Sequence, residues 1–189
     1  MDVDAFLSKE ELLVEKLVKF YSIPKNLKIF ISIVEQGTLV SLRLLDWFST
    51  NYSKYNRIYI GDIDVHSDYK DQLKGYKKAY FDPFCRRQRI FLMCKNGNIR
   101  RENTELDLYC KKIDNYENYL GRPEGIVTTV GQLNFFKWCL EKNVINYIVN
   151  NLSKIEKSML DISSEKKMEK KPEKSNVYKT VMHVTVKFN

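Results

Sequence analysis

Residues 65–91, VHSDYKDQLKGYKKAYFDPFCRRQRIF, change their hydrophobic period in mid-course, and this constrains the fold more than any other feature. Tyr69, Leu73, Tyr76 and Tyr80 recur at helical spacing, with Lys70, Lys74, Lys77 and Lys78 on an adjacent stripe, so 66–81 reads as a helix. Asp82-Pro83 ends it, because proline disfavours a helical residue before it. Residues 88–94, QRIFLMC, then read as a strand. Both periods within one short stretch call for helices packed on a sheet, an α+β fold.

The rest of the chain fits that class. Ser8 and Glu11 form a capping-box pattern, and Leu12, Leu13, Leu17 and Phe20 make 8–21 an amphipathic helix that Pro24 closes. Residues 27–35, LKIFISIVE, read as a buried strand. Residues 41–55 read as a helix with Leu44, Leu45 and Phe48 inward, and 57–60 as a short strand. Lys95-Asn96-Gly97-Asn98 predicts a tight hairpin turn. A strand over Glu105–Cys110 and a surface loop follow within the Tyr-rich 98–125 stretch. Thr129 with Gln132 is a second capping box, opening helices over 129–160 that break at Asn143. The expected architecture is one domain over 1–162: a small mixed or antiparallel sheet from 27–35, 57–60, 88–94 and 177–188, covered by helices. Residues 163–175, SSEKKMEKKPEKS, read as a charged flexible linker. Residues 177–188, VYKTVMHVTVKF, alternate as a strand that returns to the sheet edge or pairs with a partner.

Composition narrows function only in part. The 189 residues carry a formal charge of +8 and a pI near 9.2, with 43% hydrophobic residues, enough for a sizeable core. Cys85, Cys94, Cys110 and Cys139 form no C-x-x-C pair and fit no familiar zinc spacing, so they read as reduced thiols. The acidic, amphipathic N-terminus does not resemble a signal peptide, and no apolar run reaches a membrane span. A soluble, intracellular protein without a membrane partner is the expectation.

Cations interleaved with aromatic rings suit nucleic acid, which offers phosphates to the cations and bases to the rings. The candidate contact set is Lys70, Lys74, Lys77, Lys78, Arg86, Arg87 and Arg89. The competing reading makes the Tyr stripe a core face and the Lys stripe a solvated one. Arginine suits bidentate phosphate contact, which favours a role for the Arg cluster. Asp62, Asp64 and His66 resemble a metal pattern on a strand, but a loop leading into a helix start is the simpler reading. Thr128 to Gln132 could hold an anion at a helix N-terminus, although capping alone explains Thr129 and Gln132. Trp47, Phe48, Phe135, Phe136 and Trp138 read as core. Asp46 and Asp82 read as buried partners for the Arg cluster. With only His66 and His183, no nucleophile–base pair can be argued, so neither an enzyme nor a cofactor is expected.

Three blocks carry a family resemblance: SLRLLDWFSTNYSKYN (41–56), YKDQLKGYKKAYFDPFCRR (69–87) and TTVGQLNFFKWCLEKNVINYI (128–148). They resemble a small protein family of nucleocytoplasmic large DNA viruses, as does the closing Val-x-Val-x-Phe at 184–188 after a Lys-rich stretch. The chain departs from that pattern at 57–66 and 98–125. Members are uncharacterised or labelled as viral transcription factors. The resemblance implies a DNA- or RNA-binding accessory of viral transcription, DNA the more expected, acting with viral RNA polymerase or other viral proteins in the host cytoplasm. The alternative is a virion structural or scaffold protein lying against packaged DNA or capsid partners.

Overall fold

The computed structural model describes residues 8–37, 40–87, 89–95, 97–100 and 106–169. The fold is α+β. Helix α1 (Lys9–Tyr21) opens with the full capping box: the Ser8 amide donates to Glu11 Oε2 at 2.8 Å and the Glu11 amide to Ser8 Oγ at 3.3 Å. Pro24 begins a new helix, α2 (Pro24–Ile31), rather than only ending the first. This corrects the strand expected over 27–35. Proline is at home at a helix's first positions, where its missing N–H costs nothing. Leu27, Phe30 and Ile31 then fall at helical spacing and are all buried. The segment continues as a single wide turn, Ser32–Gln36, ended by left-handed Gly37.

The 41–55 helix is observed as α3 (Leu42–Trp47), a π-turn over Phe48–Tyr52 and α4 (Ser53–Asn56). Strands β1 (Tyr59–Ile60) and β2 (Ile63–Asp64) form a separate two-stranded ribbon, so 57–60 does not join the main sheet. Helix α5 (Val65–Tyr76) stops five residues short of the expected end. Lys77 turns the chain at φ 64°, ψ 160°, and a 3-10 turn over Lys78–Tyr80 follows.

The main sheet is antiparallel in the order β4-β3-β5, with β3 (Arg89–Cys94) between β4 (Leu108–Lys112) and β5 (Gly125–Thr129). The β3–β4 connection is long and not the tight turn expected at 95–98; Asn96 itself lies outside the described residues. Helices α6 (Val130–Glu141), α7 (Val144–Asn150) and α8 (Leu152–Glu169) follow, with left-handed Asn143 at the expected break. Helix α8 runs through 163–169, which corrects the flexible linker there. Residues 170–175 and the expected strand at 177–188 lie outside the described residues.

The two faces of the sheet differ. Ile90, Leu92, Cys94 and Ile126 join the helical core around Leu17, Phe30, Phe48, Phe135 and Phe136. Phe91 points the other way and is buried beneath Tyr119, ring centroids 4.9 Å apart. Gly125 makes room for that ring: a Cβ there would stand 2.5 Å from the Phe91 ring. The Tyr-rich segment therefore includes a cover over the sheet's outer face.

Candidate nucleic-acid interface

The corner that presents the cations is built by packing all three resembling blocks together. Tyr69 lies within 5.8 Å of the Phe81 and Trp138 rings, and Phe81 within 5.8 Å of Phe135, centroid to centroid. Trp138 Nε1 donates to Asp68 Oδ2 at 2.6 Å. Asn134 Nδ2 donates to the Tyr80 carbonyl at 2.9 Å. Gly131 lets the start of α6 press on the same corner, because any Cβ would lie 2.9 Å from the Asp82 carbonyl oxygen. The aromatic stripe is thus mostly core: Tyr69 is buried, Tyr80 is half-buried with its hydroxyl donating to Glu10, and only Tyr76 is exposed, at 39%. Phe48, Phe135, Phe136 and Trp138 are buried and Trp47 half-buried, as core residues should be.

Asp46 and Asp82 do not pair with the arginines, contrary to expectation. Asp82 pairs with Lys78 at 3.5 Å, and its other oxygen accepts the Phe84 amide at 2.8 Å, capping the Pro83 turn. That turn spends Asp82 locally and directs the following residues outward. Burial pushes the Asp46 carboxyl up to about 6; the Asp82 carboxylate adds to the rise, and Lys78 opposes it.

The cations fall into three groups. Arg86 and Arg87 are exposed and make no ion pair among the described residues. Arg89, half-buried, lays its guanidinium 3.7 Å from the Tyr116 ring centre, a cation–π contact that leaves the charge unneutralised. Arg86 and Arg89 share a shallow groove of about 320 Å³ with Phe84, Tyr116, Leu120 and the Thr128–Thr129 end of β5. Lys70 and Lys74 ride on α5, Lys74 3.9 Å from Asp71. Lys77 lines a second hollow with Tyr76 and Tyr80. The lysines thus do not line the arginine groove. The Lys77 backbone adds a local cost, since φ 64° with ψ 160° is a region that glycine occupies and side chains avoid.

The remaining candidates resolve as structure. Asp64 caps α5 by accepting the Ser67 amide at 2.9 Å, and His66 Nδ1 lies 3.3 Å from the Ser49 carbonyl oxygen. No group of three metal-binding side chains occurs among the described residues. Thr129 Oγ1 accepts the Gln132 amide at 3.1 Å. The reciprocal half of that capping box is absent, because Gln132 Oε1 instead accepts from Thr128 Oγ1 at 2.7 Å. Cys85, Cys94, Cys110 and Cys139 are all free, and burial pushes the Cys110 thiol up to about 12. No described helix is long and apolar enough to cross a membrane. Phe84, one of the aromatics interleaved with the cations, is exposed at 50% on the rim of the arginine groove, whereas Leu120, exposed at 59%, and Tyr116 on the same rim are not singled out by the sequence. Only the unusual tyrosine density at 98–125 hinted at them.

Comparison with known proteins agrees with an uncharacterised family that has a viral member. An uncharacterised protein, L507, of Acanthamoeba polyphaga mimivirus is 32% identical over 181 residues, covering 91% of this chain. The chain spans 62% of that relative's length. No solved structure matches. The model of a family of unknown function, DUF7197, matches residues 2–187, and the chain belongs to that family.

Proposed function

We propose that this protein is a non-enzymatic nucleic-acid-binding accessory of viral gene expression. The observation that carries the reading is the arginine groove. Arg86 and Arg87 are exposed without ion-pair partners among the described residues, and Arg89 is held on Tyr116 beside them. Exposed charges that the fold does not neutralise are free to meet phosphates. Phe84, half-exposed on the same rim, gives a base an apolar face to stack on. Lys70, Lys74, Lys77 and Lys78 extend the positive field from the neighbouring elements. The role in transcription rests on the family resemblance alone.

A second reading, a virion structural or scaffold protein, is favoured by Leu120, an exposed apolar side chain on the groove that suits a protein partner. Fluorescence anisotropy with labelled single-stranded and duplex DNA, repeated over a salt series, tests the first reading. Binding that weakens as salt rises and is lost in Arg86→Glu/Arg87→Glu supports it. Unchanged binding by that folded variant overturns it. Stoichiometric recovery from purified particles, without DNA affinity, supports the second.

A further inference from the structure

We propose that the free edge of β4 is an acceptor for an added strand, and that the strand is this chain's own segment 177–188. Strand β4 ends the sheet order. The Lys95 amide donates to the Asp107 carbonyl at 3.1 Å and the Ile113 amide to the Arg89 carbonyl at 3.2 Å. In an antiparallel ladder bonded pairs alternate, so the backbone groups of Cys110 and Lys112 point away from β3 along the open edge. A groove of about 460 Å³ runs beside that edge, between α1 and β4. Val14, Val18, Leu108 and Cys110 make its lining apolar, and Glu15, Lys19 and Asp107, the last paired with Lys95 at 3.0 Å, stand on its rim.

Segment 177–188 fits on two counts. Its alternation puts Tyr178, Met182, Val184, Val186 and Phe188, with Thr180, on one face to meet the groove, and Lys179, His183, Thr185 and Lys187, with Val177 and Val181, on the other. Its tether is long: 170–176, beyond the end of α8, reaches about 25 Å when extended. The opposite edge is a poorer acceptor. Gly125, Ile126, Thr128 and Thr129 of β5 are buried, whereas Tyr109, Lys111 and Lys112 of β4 are exposed. An unpaired strand edge in water is also an aggregation hazard, which an intramolecular strand removes.

Hydrogen–deuterium exchange on the full chain tests this, reading the amides of Cys110 and Lys112. In the parent these should exchange more slowly than in an open edge, by about tenfold or more. Val184→Pro and Thr185→Pro provide an internal control. Their N–H groups point to opposite sides of an added strand, so one proline should restore fast exchange and its neighbour should not. Met182→Lys/Val184→Lys should do the same by spoiling the apolar face. Fast exchange in the parent, or equal protection in every variant, overturns the proposal. Protection that vanishes on dilution together with a dimeric mass in light scattering also overturns it, since a second copy would then fill the edge.

Discussion

The side-chain amide of Asn134 donates to the backbone carbonyl of Tyr80 at 2.9 Å, across 54 positions of sequence. One hydrogen bond thereby fixes the start of α6 to the turn from which the arginines emerge. The basic corner is anchored to the core rather than carried on a free loop.

That anchoring depends on close backbone approach. Gly131→Ala should cost about 1–3 kcal/mol, because its Cβ meets the carbonyl oxygens of Asp82 and Ala79 at 2.9 and 3.0 Å. Gly75→Ala meets nothing within 4 Å and should stabilise α5 by about 0.5–1 kcal/mol. Chemical denaturation of the two variants should give opposite signs.

Asp46 should make stability fall as pH rises. Its pKa in the fold is about 6, above the usual 3.8, so the folded state holds the proton more tightly than the unfolded chain. Stability should therefore decline between about pH 4 and 6 and stay lower above that window. Asp46→Asn should remove the decline and gain about 1 kcal/mol at pH 7, after discounting for solvent screening at this partly exposed group. Melting temperatures of both proteins from pH 4 to 8 check it.

Arg86→Glu/Arg87→Glu should leave the unfolding free energy within about 0.5 kcal/mol of the parent's, since neither side chain has an ion pair to lose among the described residues. If roughly four phosphates are met, the parent's log K should fall with log salt at a slope of about −3 to −4 on duplex DNA. The variant's slope should be shallower by about 2, equally for all sequences, because phosphate contacts carry no base information.

Lys77→Gly should stabilise the fold by about 1 kcal/mol, relieving a backbone conformation that only glycine adopts freely. Lys77→Ala should bring no such gain. In DNA affinity, the loss shared by both variants relative to the parent reports the charge, and the difference between them reports the backbone.

How far these elements can be read from the amino-acid order depends on how local their causes are. The α1 capping box lies within four residues and is legible. Helix α2 is not, because a run of β-branched residues satisfies strand and helix patterns alike until Leu27, Phe30 and Ile31 are seen to share a buried face. The break at Lys77 carries no glycine or proline of its own to announce it. At the candidate site, the arginines stand out by their clustering, but Tyr116 under Arg89 is a tertiary contact. The partner of Asp82 is not legible from its nearness to the arginines, since the Phe84 amide of the Pro83 turn and Lys78 four residues earlier claim it first.

The order β4-β3-β5 has a consequence for synthesis. Strand β3, RIFLMC, leaves the ribosome before either of its partners exists. At about 5–20 residues per second, it waits a few seconds until Thr129 completes β5. During that interval it is a short apolar β-former with two open edges, a template for association between nascent chains. Arg86 and Arg87 just before it, with Arg89 and Lys95 at its ends, place like charges around the segment. Such gatekeepers repel a second copy in the same state. The cations proposed to meet nucleic acid in the finished protein thus also guard the strand while the chain is still incomplete.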